Sequence, residues 1–145
     1  VQTCALPIYG GMSDIGAVIN AKLLATAGVS ALCGARGYPD VLPQGATLPA
    51  YVYQTISDVP AYHLGGESGI AEARVQINCY SAERGDTDAL VRAIRTAISG
   101  QQFAQGGTNV RECHIQNSYA MQEQPVDGNG TWRYGRITDY LIHYI

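Results

Sequence analysis

Hydrophobic periodicity switches between two and 3.6 along this chain, and that switching limits the fold more than any other feature. Leu48, Ala50, Val52 and Ile56 alternate with Pro49, Tyr51, Tyr53 and Thr55. A period of two means a strand, here with one aliphatic face and one tyrosine-polar face. The period returns in "EARVQINCYS". There Val75, Ile77 and Cys79 point one way, and Arg74, Gln76, Asn78 and Tyr80 the other. Helical spacing then takes over. Leu90, Val91, Ile94 and Ile98 form one apolar stripe, with Asp86 or Thr87 as cap and Gly100 as stop. Arg92 and Arg95 fall off that stripe and should be solvated. Near the start, Ile15, Val18, Ile19 and Leu23 make a second stripe. Its helix is capped by Ser13 or Asp14, runs to about Ala27 and is ended by Gly28. "VSALCG" adds one short turn, stopped by Gly34.

The remaining segments fill in an order of α, β, β, α, β, β. "VRECHIQNSY" is a third strand and "TWRYGRITDYLIHYI" a long closing one. In the latter, Ile137, Leu141 and Ile145 share a face with Arg133, Asp139 and His143. Trp132, Tyr134, Tyr140, Ile142 and Tyr144 share the other. Residues 57–69, 101–109 and 123–130 read as loop, linker and turn. "AYHL" within the first is a candidate short edge strand. The expected class is α+β: a mainly antiparallel sheet of about four to five strands, with two helices packed on one face. The helices should cover the face carrying Val52, Ile56, Val75 and Ile77. The open face would then hold tyrosines rather than charges, as a partner-covered face does, although cross-strand tyrosine pairs also stabilise a sheet alone.

Between the first helix and the first clear strand lies "RGYPDVLPQGATLPAYVYQTIS". Pro39, Pro43 and Pro49 keep Arg36–Leu48 out of helix and out of a central strand. Such an arm either closes a core or reaches a neighbour.

At 145 residues the chain suits one domain with a self-sufficient core. No apolar run approaches the ~20 residues of a membrane span. Net charge is −3 without a basic run, which argues against a dedicated nucleic-acid binder. Charged residues are 14%, and there are ten tyrosines. Low charge with abundant Tyr is a composition of partner-covered surfaces, and equally of a Tyr-rich β domain without that role. The first eight residues, "VQTCALPI", lack any structural period or cationic leader. They resemble the translated end of a sequencing-library adapter. Residues 1–11 are therefore expected to be a non-native leader, with Met12 as natural start and 12–145 as the single domain. Deleting 1–11 should leave the melting temperature unchanged. Cys33, Cys79 and Cys113 then remain, an odd set without CxxC spacing, so neither a disulfide framework nor a zinc site follows. Cys79 and Cys113 read as small buried hydrophobes.

A search for chemistry returns little. His63, His114 and His143 have no metal-ligand spacing. Cys113 and His114 are strand neighbours and face opposite ways. Only Cys79 with His114 across the sheet stays open as a nucleophile pair. No GxSxG, Walker-type or dinucleotide fingerprint occurs. "GGESG" precedes a strand rather than a helix, so no helix N-terminus backs it. "DGNG" at 127–130 has too few carboxylates for a calcium loop. No catalytic residue, cofactor site or metal site is assigned.

The stretch "AGVSALCGARGYPDVLPQGATLPAYVYQTIS", following a short helix, resembles the tail-completion family of long-tailed bacteriophages. "ARVQINCYSAERGDTDALVRAIRTAI" is similar to its strand-then-helix unit, and "WRYGRITDYLIHY" to its closing strand. The resemblance spans roughly Met12 to Tyr144; Cys33 and Ala35 sit at variable places, and the 120–130 loop has no matching motif. It implies a virion protein of the tail, assembled in the host cytoplasm and not an enzyme. Such proteins are similar to tail terminators. They form a homo-oligomeric ring, often a hexamer, at the head-proximal end of the tail tube. There they end tube growth and join the tail tube protein to a neck or connector protein. DNA passes through the lumen without specific binding, and no membrane or cofactor is involved. The expected subunit or tube interface is Tyr38, Val41, Leu42, Leu48, Tyr51 and Tyr53. A small α+β ligand-binding or enzyme domain, with a pocket between sheet and helices, is the alternative of another class. Another neck or minor tail subunit is a third.

Overall fold

The computed structural model describes residues 14–123 and 133–145. The expected leader, 1–11, and most of the turn-rich 123–130 segment lie outside them.

Helix α1 spans Ile15–Leu24. Asp14 caps it, its Oδ1 accepting the Gly16 N–H at 3.0 Å. The helix stops before Ala27, and α2 (Ala27–Cys33) sets off at 86° to it. Thr26 makes the corner. Its hydroxyl donates to the Lys22 carbonyl and its N–H to that of Leu23, which satisfies carbonyls left open by the break. Gly28 therefore lies inside the first turn of α2 rather than ending α1. The left-handed stop is Gly34, at φ 58°.

Helix α3 covers Arg84–Ile98 and begins at Glu83, one turn ahead of the expected Asp86 or Thr87 cap. Thr87 is instead buried within the helix, and its hydroxyl donates to the Tyr134 carbonyl at 2.7 Å. That bond ties the first turn of α3 to the sheet. The stripe of Leu90, Ile94 and Ile98 is buried as expected, with Arg92 and Arg95 exposed.

Six described strands make one sheet: β1 (Gly37–Pro39), β2 (Ala50–His63), β3 (Gly66–Ser81), β4 (Phe103–Gln105), β5 (Thr108–Glu123) and β6 (Arg133–Tyr144). Their order is β1-β2-β3-β6-β5-β4. Only the β1–β2 pair is parallel. The class is thus α+β, with three helices and a mixed sheet. Two expected connections are strands. Residues 57–69 are the far half of a β2–β3 hairpin, joined at His63↔Gly66. Within 101–109, β4 turns back into β5 through Gly106 and Gly107, both at positive φ.

The helices pack on one face of the sheet, and the core joins Ile15, Ile19, Leu23, Leu90, Ile94 and Ile98 to Val75, Ile77, Cys79, Tyr140 and Ile142. On β2 the core takes Tyr51 and Tyr53, not Val52 and Ile56. This corrects the expected facing of that strand. Tyr51 is paired with Cys79 and Tyr53 with Ile77, and paired residues share a face. The Tyr51 hydroxyl is satisfied inside the core, donating to Asn20 Oδ1 on α1 at 2.6 Å. A tyrosine can be buried when its hydroxyl finds such a partner.

The open face is accordingly mixed rather than a tyrosine face. Tyr38, Tyr80 and Tyr119 stand on it with Val52, Ile137 and Leu141, and it also carries Glu72, Arg74, Gln76, Glu112, His114, Asp139 and His143, as alternation from the core residues requires. A polar row crosses three strands. His143 Nε2 meets Glu72 Oε2 at 2.9 Å, His143 Nδ1 lies 3.4 Å from Glu112 Oε2, and His114 Nδ1 lies 3.3 Å from Glu112 Oε1. Asp139 accepts from Gln76 Nε2 at 3.0 Å, with Arg74 at 3.7 Å.

Candidate assembly surface

The β2–β3 hairpin outgrows the sheet. β6 accompanies β3 only as far as Ala71↔Tyr144. Beyond that level residues 61–70 form a two-stranded ribbon, and every one is exposed. An isolated two-stranded ribbon is marginal in water, so this one gains from a surface to lie on. Its base is tied down by the Tyr144 hydroxyl, which donates to the Asp58 carboxylate at 2.7 Å. Burial and that carboxylate both push the Tyr144 hydroxyl well above its usual pKa.

Apolar side chains gather along the ribbon and the arm. Val41, Ile56, Val59, Tyr62, Leu64 and Ile70 are all exposed, Leu64 completely at the ribbon's tip. Single exposed apolar residues are ordinary, but a run on one projection marks a contact site. A cleft of about 550 Å³ opens at the ribbon's base, lined by Pro60, Ile70, Gly107, Tyr144 and Ile145 among others.

The six residues assigned from sequence divide into two sets. Tyr51 and Tyr53 lie in this chain's own core at 0% and 9% exposure and present no contact surface, a correction with the packing reason given above. Tyr38 is half-buried in β1, opposite Val52. Leu42 and Leu48 are half-buried in the arm, and Val41 is 72% exposed. The ribbon tip went unassigned because Pro60 and the Gly65–Gly66 pair read as loop. Its signal was present in Val59, Tyr62 and Leu64, apolar residues with no core to join.

The nucleophile pair that stayed open does not form. Cys79 lies on the helix-covered face and His114 on the open one. Burial pushes all three described thiols up, Cys113 to about 12. They stay protonated and unreactive. A second cleft, of about 240 Å³, sits between the first turn of α3 and the nearby ends of β5 and β6, beside Arg84, Asp88 and Arg136. Among the described residues no three His, Cys, Asp or Glu side chains converge as metal ligands. No single helix there is long and apolar enough to cross a membrane.

The family model for "Tail completion protein gp17" matches residues 17–129, and the chain belongs to that family of phage tail-completion proteins. It is a structural protein of the bacteriophage virion tail. Among solved structures, a chain from the "Virion of native gene transfer agent (GTA) particle" is similar over 90% of this chain and 95% of that one. Its TM-score is 0.62 at 16% identity, a likeness of fold. Comparison with curated proteins finds no match.

Proposed function

We propose that this protein forms a ring, of six subunits, at the head-proximal end of the tail tube, where it ends tube growth and joins tail to neck. The observation that carries the reading is the projecting apolar ribbon and arm on a chain of the tail-completion family. In a head-to-tail ring each subunit uses two different surfaces. The arm, through Tyr38, Val41, Leu42 and Leu48, packs on the adjacent subunit. The ribbon tip at Tyr62 and Leu64 contacts the tube. The net charge of −3 suits a lumen through which DNA slides without sticking. The ring assembles in the host cytoplasm and needs no cofactor.

The test is the solution mass, by size-exclusion chromatography with light scattering, with and without tail tubes. A ring-sized species, or a monomer that assembles only on tube ends, is expected. A monomer at every concentration that ignores tubes would overturn the reading. Replacing Val41 and Leu42 together by Asp should leave a folded monomer; retained assembly would place the interface elsewhere.

A further inference from the structure

We infer that the sheet itself continues from copy to copy. The β5 edge of one copy, over Asn117–Gln122, pairs antiparallel with the β2 edge of the next, over Gln54–Val59. The inference rests on the ring reading and says what closes the ring.

Both outer edges of the sheet are only partly covered. β1 accompanies β2 from Tyr51 to Tyr53, and the Asp40 N–H to the Tyr53 carbonyl extends that cover no further. β4 accompanies β5 from Thr108 to Val110, and the Gly100 N–H reaches the Cys113 carbonyl. Past these points the described residues place no strand on either edge; Asn117 Oδ1 meets only the Ser118 N–H. Open backbone edges are templates for another chain, and proteins that stay apart blunt them with proline, charge or bulges. This chain does so next to each run. Pro60 follows the β2 run, the charged Arg111 and Glu112 sit at a bulge before the β5 run, and a second bulge at Ile115/Asn117 opens it; the β2 run itself bends at Thr55/Ser57, where Ile56 has no partner on β3. The runs themselves carry one charge, Asp58, which the Tyr144 hydroxyl already occupies. Their lengths match at six residues each.

Direction agrees with a lateral repeat. β2 and β5 run oppositely within one sheet, with β3 and β6 between them. Setting a second copy beside the first, helices on the same side, brings β5 antiparallel to the next β2; because Gln54 lies level with Asn117 across the sheet, the two free runs meet when the second copy is also displaced along the strands, which carries β1 and β4 clear of the joint. The two edges differ, so the contact is heterologous and repeats until rotation closes it. Exposed apolar side chains stand on both, Ile56 and Val59 on one and Tyr119 on the other. The arm leaves β1 beside Tyr53, so Val41 and Leu42 border the incoming strand.

The experiment is oxidative cross-linking of the full chain carrying either Ile56→Cys with Ala120→Cys or Ser57→Cys with Tyr119→Cys. These two pairs are successive rungs of one register, the one that sets Gln54 opposite Gln122 and Val59 opposite Asn117, and a disulfide needs Cα atoms within about 7 Å. The described thiols, Cys33, Cys79 and Cys113, are buried and stay silent, and Cys4 is replaced by Ser in every variant. At least one double variant should give a covalent ladder beyond dimer on a non-reducing gel, and no single variant should. Ring-sized particles by light scattering with no ladder from either pair would overturn the edge pairing and leave the ring standing. Abundant dimer from Ala120→Cys alone would overturn it in favour of a twofold contact. A chain that is monomeric with and without tubes would overturn ring and pairing together. Should the cysteine variants misfold, Ala120→Lys provides the second arm: a folded monomer is expected, and undiminished assembly refutes the pairing.

Discussion

Gly37→Ala is the sharpest probe of how the arm is held. Gly37 lies in β1 directly over Tyr51. A Cβ there would overlap the Tyr51 ring at Cζ and stand 2.5 Å from its hydroxyl oxygen and 2.6 Å from Asn20 Oδ1. Tyr51 is fully buried and cannot swing away. Overpacking of this kind costs about 1–3 kcal/mol. Pushing Tyr51 off Asn20 loses a buried hydrogen bond worth about 1 kcal/mol. Against this, alanine restricts the unfolded chain and returns about 0.4–1 kcal/mol. The net is a loss of about 1–3 kcal/mol. For a domain of this size that lowers the melting temperature by about 3–12 °C. The assay is thermal unfolding by circular dichroism, with a urea titration to confirm an unchanged m-value. Gly28→Ala is the control. Its Cβ would meet nothing within 4 Å, so it should be neutral or slightly stabilising. A Gly37→Ala melt within 1 °C of the parent would refute the claim that β1 is clamped on Tyr51. Ring assembly should weaken along with stability, because the same clamp positions the arm.

Three further outcomes follow from the packing. The described thiols are raised in the folded state, and burial does the same to Tyr51 and Tyr140. A folded pKa above the unfolded one gives stability that is complete below the unfolded value and is lost as pH rises. Urea midpoints should therefore fall steadily from about pH 8.5 towards 12, by up to about 1.4 kcal/mol per pH unit for each thiol; a flat profile would contradict it. Thr87→Val removes the bond to the Tyr134 carbonyl and should cost about 1–3 kcal/mol in a chemical melt. Tyr62→Asp with Leu64→Asp, both at exposed positions, should keep the melting temperature and the ring but abolish capture by tail tubes in a co-sedimentation assay.

The sequence located the clear strands and helical stripes but misjudged which side of β2 faces inward. Alternation in 50–56 was legible; the choice of face was not. Valine and isoleucine are the more apolar set, yet Tyr51 and Tyr53 go inside because Asn20 on α1 satisfies the Tyr51 hydroxyl, a long-range contact no local pattern shows. Val52 is buried too, at 4% exposure on the opposite face, so both faces are apolar there and polarity cannot choose. Ladder shifts at Thr55/Ser57 and Pro60/Tyr62 then leave Ile56 and Ala61 unpaired and move the phase. That erased the period of two from the far half of the hairpin. The break at Ala25–Thr26 carries no glycine or proline to announce it. On the assembly surface, the arm was visible from its prolines, while the ribbon was hidden by reading Pro60 as loop rather than as an edge-strand residue.

The strand order also governs when this protein becomes itself. β6 lies between β3 and β5 and follows every other described strand along the chain. The β3–β6 pair Ala71↔Tyr144 joins residues far apart in sequence, and such distant pairs form late because the intervening loop must close first. On the ribosome, the β2–β3 hairpin and the β4–β5 hairpin emerge as two separate halves with nothing between them. They become one sheet only when the strand that joins them arrives. A half-made subunit thus has no continuous sheet, and under the proposed edge pairing only chains synthesised at least through β6 can offer both edges to a neighbour.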